Sequence, residues 1–252
     1  MLGECLRRRG CRVLQADGDA DLLIVKTAVE SSQTKKTVHV GDNTDLIVLL
    51  CYYAKSQNHD LIFRPDPKPR SKQQVREMKK VKSELGEEIC ENIFFIHAFL
   101  GCDTTSRIFG IGKGTIVKKF VESRNLRQQA EVFNTSNASV DDIVKAGENA
   151  LVEILHGRPG EDIDRLRYRK CYEKLRSKKV HVQPQSLPPS LSALRYHSMR
   201  VYLHIQQWKG NDGDSRRCTC RKHDLDCSPA CGQCKGVSFT NFSKLDEDSN
   251  DI

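Results

Sequence analysis

Long apolar runs are absent from this sequence. It has no stretch of about 18 consecutive apolar residues, whereas a membrane-spanning helix needs about 20. The N-terminal residues MLGECLRRRGCRVLQ also lack the apolar core of a secretory signal peptide. The sequence therefore predicts an intracellular protein without a membrane span, in a compartment that keeps its thiols reduced.

Hydrophobic residues are also scarce, at 38% of the 252 residues. That content is low for a compact globular domain, so part of the chain is expected to be surface-rich or irregular. The length suits one mid-sized domain with an appendage, or two small domains. Basic residues outnumber acidic ones by 41 to 33, a formal net charge of +8, which favours a polyanionic partner.

Short β-branched runs alternate with helix-length apolar segments in the first part of the chain. Strands are predicted at 12–15, 37–41 and 60–65, and helices at 17–32 and 44–54. Such alternation predicts an α/β core with a parallel sheet.

The rest of the chain is predicted to be mostly helical. Ser139, with Asp142 three residues later, is typical of a helix start. Helices are predicted at 92–101, after the glycines at 110–114, at 139–156, at 161–178 and at 190–208.

Acidic residues recur just after predicted elements of the core. The three groups are Asp17, Asp19 and Asp21; Asp42 and Asp45; and Asp103. Because parallel strands end at one edge of a sheet, we expect these carboxylates to converge and to bind Mg²⁺ or Mn²⁺. Two such ions support phosphodiester hydrolysis. Each aspartate taken alone also fits a helix N-cap.

The stretch GIGKG carries a second signal. Gly110, Gly112 and Gly114 let backbone N–H groups approach a phosphate at the start of a helix. The cations that accompany this turn are Lys113, Lys118 and Lys119. A tight turn between two helices would use the same glycines.

These motifs occur in a familiar order. DGDAD, GDNTDLIVLL and FLGCDTTSRIFGIGKGTIVKKF together resemble the PIN-like superfamily of flap endonucleases and XPG-type nucleases, over roughly residues 10–122. The resemblance implies an incomplete Rossmann-like parallel sheet followed by a helix-hairpin-helix. It also implies metal-dependent cleavage of flapped or branched DNA, and a nuclear location. The implied site residues are Asp17 and Asp19 as the first acidic pair, Asp42 and Asp45 as the second, Asp103 as a late metal ligand, and 110–114 as the DNA-binding hairpin.

The chain departs from that family at two places. Asn43 stands where the family usually has an acidic residue. The first family strand, which carries an aspartate, has no counterpart ahead of Arg12. Three hypotheses remain open: an active nuclease, a non-catalytic nucleic-acid- or protein-binding module derived from one, and a structural α/β domain whose aspartates are caps.

Cysteines fall into two classes. Six scattered ones, at positions 5, 11, 51, 90, 102 and 171, are predicted to be small buried hydrophobic residues. Five lie within CTCRKHDLDCSPACGQC, namely Cys218, Cys220, Cys227, Cys231 and Cys234. Clustered thiolates in a reducing compartment predict a tetrahedral Zn²⁺ site. Disulfides and an unfolded tail are the alternatives.

The cysteine cluster loosely resembles tesmin-type CXC modules, which bind DNA through zinc-ordered loops. The whole arrangement resembles transposon-associated animal proteins. The predicted organisation is a PIN-like core at 1–122, a helical extension at 123–182, a linker at 183–190, an amphipathic helix at 191–209, a zinc module at 210–242 and an acidic, disordered tail at 243–252.

Overall fold

The computed structural model describes residues 2–16, 20–55, 60–65, 75–177 and 182–210. The described residues form a mixed α/β structure that is mostly helical, so the predicted class is confirmed at that level. The chain divides into two compact units, 1–81 and 82–252. Within the described ranges, no helix is both long and apolar enough to cross a membrane.

The first unit contains a small mixed sheet. Its strands are β1 (Thr37–Val40), β2 (Leu61–Arg64) and β3 (Arg76–Glu77), in that spatial order. Strands β1 and β2 are parallel, with Thr37 opposite Leu61, but β3 is antiparallel to β2. The prediction of a wholly parallel sheet is therefore wrong at β3. A parallel neighbour normally needs a helical crossover, and only residues 65–75 connect β2 to β3.

Three helices accompany this sheet: α1 (Leu2–Arg8), α2 (Asp21–Ser31) and α3 (Thr44–Tyr53). Helix α3 begins as predicted, because the Asn43 side chain accepts a hydrogen bond from the backbone N–H of Asp45 at 3.0 Å. Helix α3 packs on α2 and buries Leu49 and Leu50 completely.

The strand predicted at 12–15 is not formed. Residues 11–16 have no regular secondary structure, and Leu14 is 45% exposed. A strand is stabilised by its hydrogen-bonded neighbour, and β1 is paired only with β2 among the described strands. The local sequence of these four residues therefore did not suffice.

The second unit is helical, and α4 (Met78–Leu85) runs across the division between the units. Ser139 accepts a hydrogen bond from the backbone N–H of Asp142 at 3.1 Å, which confirms the helix start predicted there. The remaining helices are α5 (Glu87–Glu91), α6 (Ile93–Phe99), α7 (Lys113–Glu122), α8 (Arg124–Asn134), α9 (Val140–Ile154), α10 (Ile163–Arg176) and α11 (Leu191–Lys209).

Helix α11 lies at the centre of the second unit, against α6, α8 and α9. Residues 201–206 are all buried, so the helix that the sequence predicts to be amphipathic is enclosed on every side in its second half. Its Trp208 packs edge-on against Phe94, with ring centroids 5.1 Å apart. The Gln206 side chain donates to the carbonyl of Phe133 at 2.9 Å, which satisfies a buried amide.

Helices α9 and α11 lie close together at Gly147. A Cβ atom added there would lie 2.0 Å from Ser198 Oγ and 2.9 Å from Ser198 Cβ. Glycine is disfavoured inside a helix, so this close approach is the physical reason for its presence.

We expect Gly147→Ala to lower the free energy of unfolding by about 1–3 kcal/mol, because the added methyl group overpacks the interface. Urea denaturation measures this change. Gly114→Ala, where an added Cβ meets nothing within 4 Å, is the matched control and should not destabilise. If Gly147→Ala and Gly114→Ala behave alike, the close packing of α9 on α11 is wrong.

Candidate nucleic-acid interface

The predicted site residues are distributed over both units. Asp42 and Asp45 lie in the first unit, with Asp42 exposed and Asp45 half-buried. Asp103 lies exposed in the second unit. Asp17, Asp19 and the five clustered cysteines lie outside the described residues.

Asn43 joins two of the acidic segments. Its amide nitrogen donates to Asp21 Oδ2 at 2.9 Å, while its carbonyl oxygen accepts the backbone N–H of Asp45 at 3.0 Å. The first residue of α2 and the segment after β1 therefore meet. A carboxylate at position 43 would face Asp21 with like charge, whereas the amide supplies a donor.

Asp103 lies in a turn that is stabilised by two hydrogen bonds of Thr105. Thr105 Oγ1 donates to the carbonyl of Ala98 at 2.6 Å and accepts the N–H of Cys102 at 3.0 Å. Gly101 has φ = +106°, and an added Cβ would lie 2.6 Å from the Cα of Arg107. The glycine of the GCD motif is therefore required by backbone conformation and by packing.

The donors in the predicted magnesium site are of the right kind, since carboxylate and amide oxygens suit a hard cation. Among the residues that the structure describes, however, no three His, Cys, Asp or Glu side chains are grouped so as to hold a metal ion. The convergence of all five predicted carboxylates thus stays a prediction.

The glycine-rich stretch forms the turn into α7. Gly110 has φ = +75°, a conformation that favours glycine. Gly112 is the N-cap of α7 and provides no side chain to accept from the first-turn N–H groups. An added Cβ at Gly110 or at Gly114 meets nothing within 4 Å. The backbone of this turn is therefore open to a ligand.

The three lysines of this stretch have different surroundings. Lys118 is exposed. Lys113 Nζ lies 3.0 Å from Nδ1 of His97, and Lys119 donates to the backbone carbonyl of Glu153. Lys119 is thereby held on α9.

A cavity of about 600 Å³ opens beside the glycine turn. Helix α7, helix α9, helix α10 and the first turns of α11 contribute to it. The segment 184–189 forms a further wall, and it includes a 3₁₀ turn at Pro184–Ser186. This segment belongs to the predicted linker, yet Lys174 holds it to α10 by donating to Ser186 Oγ at 2.7 Å.

The cavity lining carries positive charge and no carboxylate. Its cations are Arg107, Lys119, Arg167 and Lys170. Arg167 donates to the carbonyl of Pro188, but within the described part of the chain Arg107 and Lys170 form no hydrogen bond or ion pair through their side chains. Uncompensated cations around a concave surface attract an anion.

A histidine also lines the cavity. His197 Nε2 lies 3.0 Å from the carbonyl oxygen of Phe99. Burial lowers the pKa of His197, and the nearby Arg200 adds to this effect, against a smaller rise from the hydrogen bond to Phe99. His197 is therefore neutral at pH 7, and the lysines and arginines supply the charge.

The lining cations of α10 were not predicted from the sequence. Arg167 and Lys170 stand in a generally basic helix, and nothing in that pattern distinguishes the residues that face the cavity. They lie more than fifty residues from the glycine turn, so only tertiary packing brings the two segments together.

The predicted burial of the six scattered cysteines is confirmed for Cys51 and Cys90 but is wrong for Cys5 and Cys11, which are exposed. A second group that the sequence did not reveal lies around Cys102, which is half-buried. Its Sγ lies 3.9 Å from His204 Nε2 and 3.2 Å from Thr105 Oγ1. Thr104 Oγ1 lies 3.0 Å from His204 Nδ1. Burial raises the pKa of the Cys102 thiol, but the hydrogen bond and charge of His204, with hydrogen bonds from both threonines, lower it to about 6.

We expect Cys102 to react with iodoacetamide as a thiolate from about pH 6 upward, because a thiol whose pKa is lowered to about 6 is already deprotonated at neutral pH. His204→Gln should shift the midpoint of the pH–rate profile to higher pH. Site-resolved mass spectrometry measures the rate, with the exposed Cys5 as internal reference. A His204→Gln profile that coincides with that of the native protein would contradict the pairing.

Comparison of the chain with protein-family models, with curated proteins and with solved structures found no match. The functional interpretation therefore depends on the residues and geometry described above.

Proposed function

We propose that this protein binds nucleic acid, DNA in the first place, through backbone phosphates at the glycine turn and the adjoining cavity. One observation carries the proposal: four cations and no carboxylate line a cavity that the open turn 110–114 adjoins. Phosphate oxygens are the ligands that such cations and exposed backbone N–H groups prefer in nucleic acid.

The geometry supports a polyanion better than a single small anion. Arg107 lies on the rim beside the turn, while Lys170 approaches from α10. Lys118 is exposed on α7, the helix that follows the turn. Several separated cations match a chain of phosphates, and the formal net charge of +8 adds long-range attraction.

We expect the double variant Arg107→Gln/Lys170→Gln to weaken binding to a fluorescein-labelled DNA duplex at every sequence tested. Each lost phosphate contact reduces the magnitude of the slope of log K against log salt by about 0.9. The slope for the double variant should therefore be smaller by about 1.8. Fluorescence anisotropy across a KCl series measures both quantities.

The matched control is Lys145→Gln/Arg124→Gln, which removes the same charges from exposed positions outside the cavity. If the two double variants show the same affinity and the same salt dependence, the binding site is not at this cavity.

Metal-dependent cleavage of the bound strand is a second candidate function. It is favoured by the hydrogen bond from Asn43 to Asp21, which brings two acidic segments of the first unit next to each other. In this proposal Asp45 would hold Mg²⁺ or Mn²⁺ together with Asp17 and Asp19, which lie outside the described residues. The bound ion would activate water and stabilise the leaving oxygen. Without cleavage, the protein is a non-catalytic binding module on the same fold.

We expect the native protein with Mn²⁺ or Mg²⁺ to cut a flapped duplex, and Asp45→Asn to reduce the rate by more than about tenfold, because it removes a charged ligand. Gel analysis with an EDTA control measures cleavage. Equal background product from the native protein and from Asp45→Asn would reject the enzyme and leave the binding module.

Zinc at the cysteine cluster is proposed from the sequence alone. Five thiolates at that spacing, with His223 among them, suffice for one tetrahedral Zn²⁺ ion. We expect at least about half an equivalent of zinc to remain after extensive dialysis, because structural zinc is tightly held. A dialysed protein without zinc would reject the site.

A further inference from the structure

The cavity beside the glycine turn has an apolar floor as well as a basic rim. Ile116, Leu151 and Ile154 are buried in it, and so is Pro188. Phosphate contacts alone need no such floor, because they are made at the protein surface.

The rim differs from the floor in both exposure and chemistry. Arg107 and His156 are exposed there. Phe109 is also on the rim and is 57% exposed. An exposed aromatic ring beside a basic residue is the arrangement on which unpaired bases stack.

The size of the cavity fits one nucleotide. Its volume of about 600 Å³ lies in the range of pockets that enclose small organic ligands, roughly 300–1,000 Å³. A DNA duplex is too large to fit inside this cavity, whereas a single base with its sugar would fit.

We propose that this cavity receives one unpaired nucleotide of a bound strand, with its base against the apolar floor and its phosphate at the basic rim. This inference rests on the proposed binding of nucleic acid, and it adds the class of substrate: a strand with a nucleotide that is unpaired or easily unpaired.

The floor also offers no hydrogen bond by which one base could be recognised over another. None of Ile116, Leu151, Ile154 and Pro188 has a side-chain hydrogen-bond donor or acceptor, so the edge of the base finds no specific partner there. The floor therefore selects for the absence of pairing rather than for one base. A paired base must first leave its stack, at a cost of a few kcal/mol, so a bulged nucleotide enters more readily.

The test compares two DNA duplexes, one with a single bulged 2-aminopurine and one in which every base is paired. With the native protein we expect the bulged duplex to bind at least fivefold more tightly than the paired one. The 2-aminopurine emission should change on binding, because the base leaves its neighbours.

Ala193→Trp fills the cavity from the side of α11, since Ala193 lines it and is exposed. We expect the ratio of the two affinities to fall to about one. Tyr196→Trp places the same side chain on the same helix outside the lining, and it should keep the native ratio. Ser106→Trp, from another exposed lining position, replaces Ala193→Trp if that variant does not fold.

Three outcomes are distinguishable. An affinity ratio near one in the filled variants, with the native ratio kept in Tyr196→Trp, supports the nucleotide site. Equal binding of bulged and paired duplexes by the native protein overturns the inference while leaving the proposed function intact. Failure to bind either duplex overturns both.

Discussion

The burial of α11 is the constraint on which the second unit depends. Residues 201–206 are enclosed on every side, and a helix without a polar face is stable only inside a protein. Three surrounding helices, α6, α8 and α9, supply that enclosure, and Gly147 allows α9 to come close. Polar groups on α11 bind the segment that follows α8: Tyr202 donates to the carbonyl of Thr135 at 3.1 Å and accepts the N–H of Ala138 at 3.2 Å.

The candidate binding site follows from this arrangement. The buried helix fixes α9, and the cavity forms between α9, the glycine turn and the chain that leads into α11. The cations of the cavity repel one another, because Arg107, Arg167 and Lys170 line the same space without a carboxylate in the lining. Like charges held together favour the state in which an anion neutralises them. Binding of a phosphate chain would then stabilise the fold by linkage, which ties the proposed function to the same packing.

In the first unit, Asn43 has a similar organising role. Its side chain both starts α3 and reaches Asp21, so one amide connects two segments that a wholly acidic set would drive apart. The resemblance to nucleases implies a charge at this position, and the amide explains how the acidic segments meet without one.

The sequence alone determined most of the local structure. The N-cap signals at Asn43 and Ser139 located the starts of α3 and α9, and the GIGKG glycines marked the turn into α7, because caps and positive φ angles are set by neighbouring residues. The sequence failed at residues 12–15, where a strand needed a partner, and at β3, whose direction depends on the connection. Only the tertiary structure brought Lys170 to the glycine turn and His204 to Cys102, because side chains that are distant in the chain meet through helix packing, which no local pattern encodes.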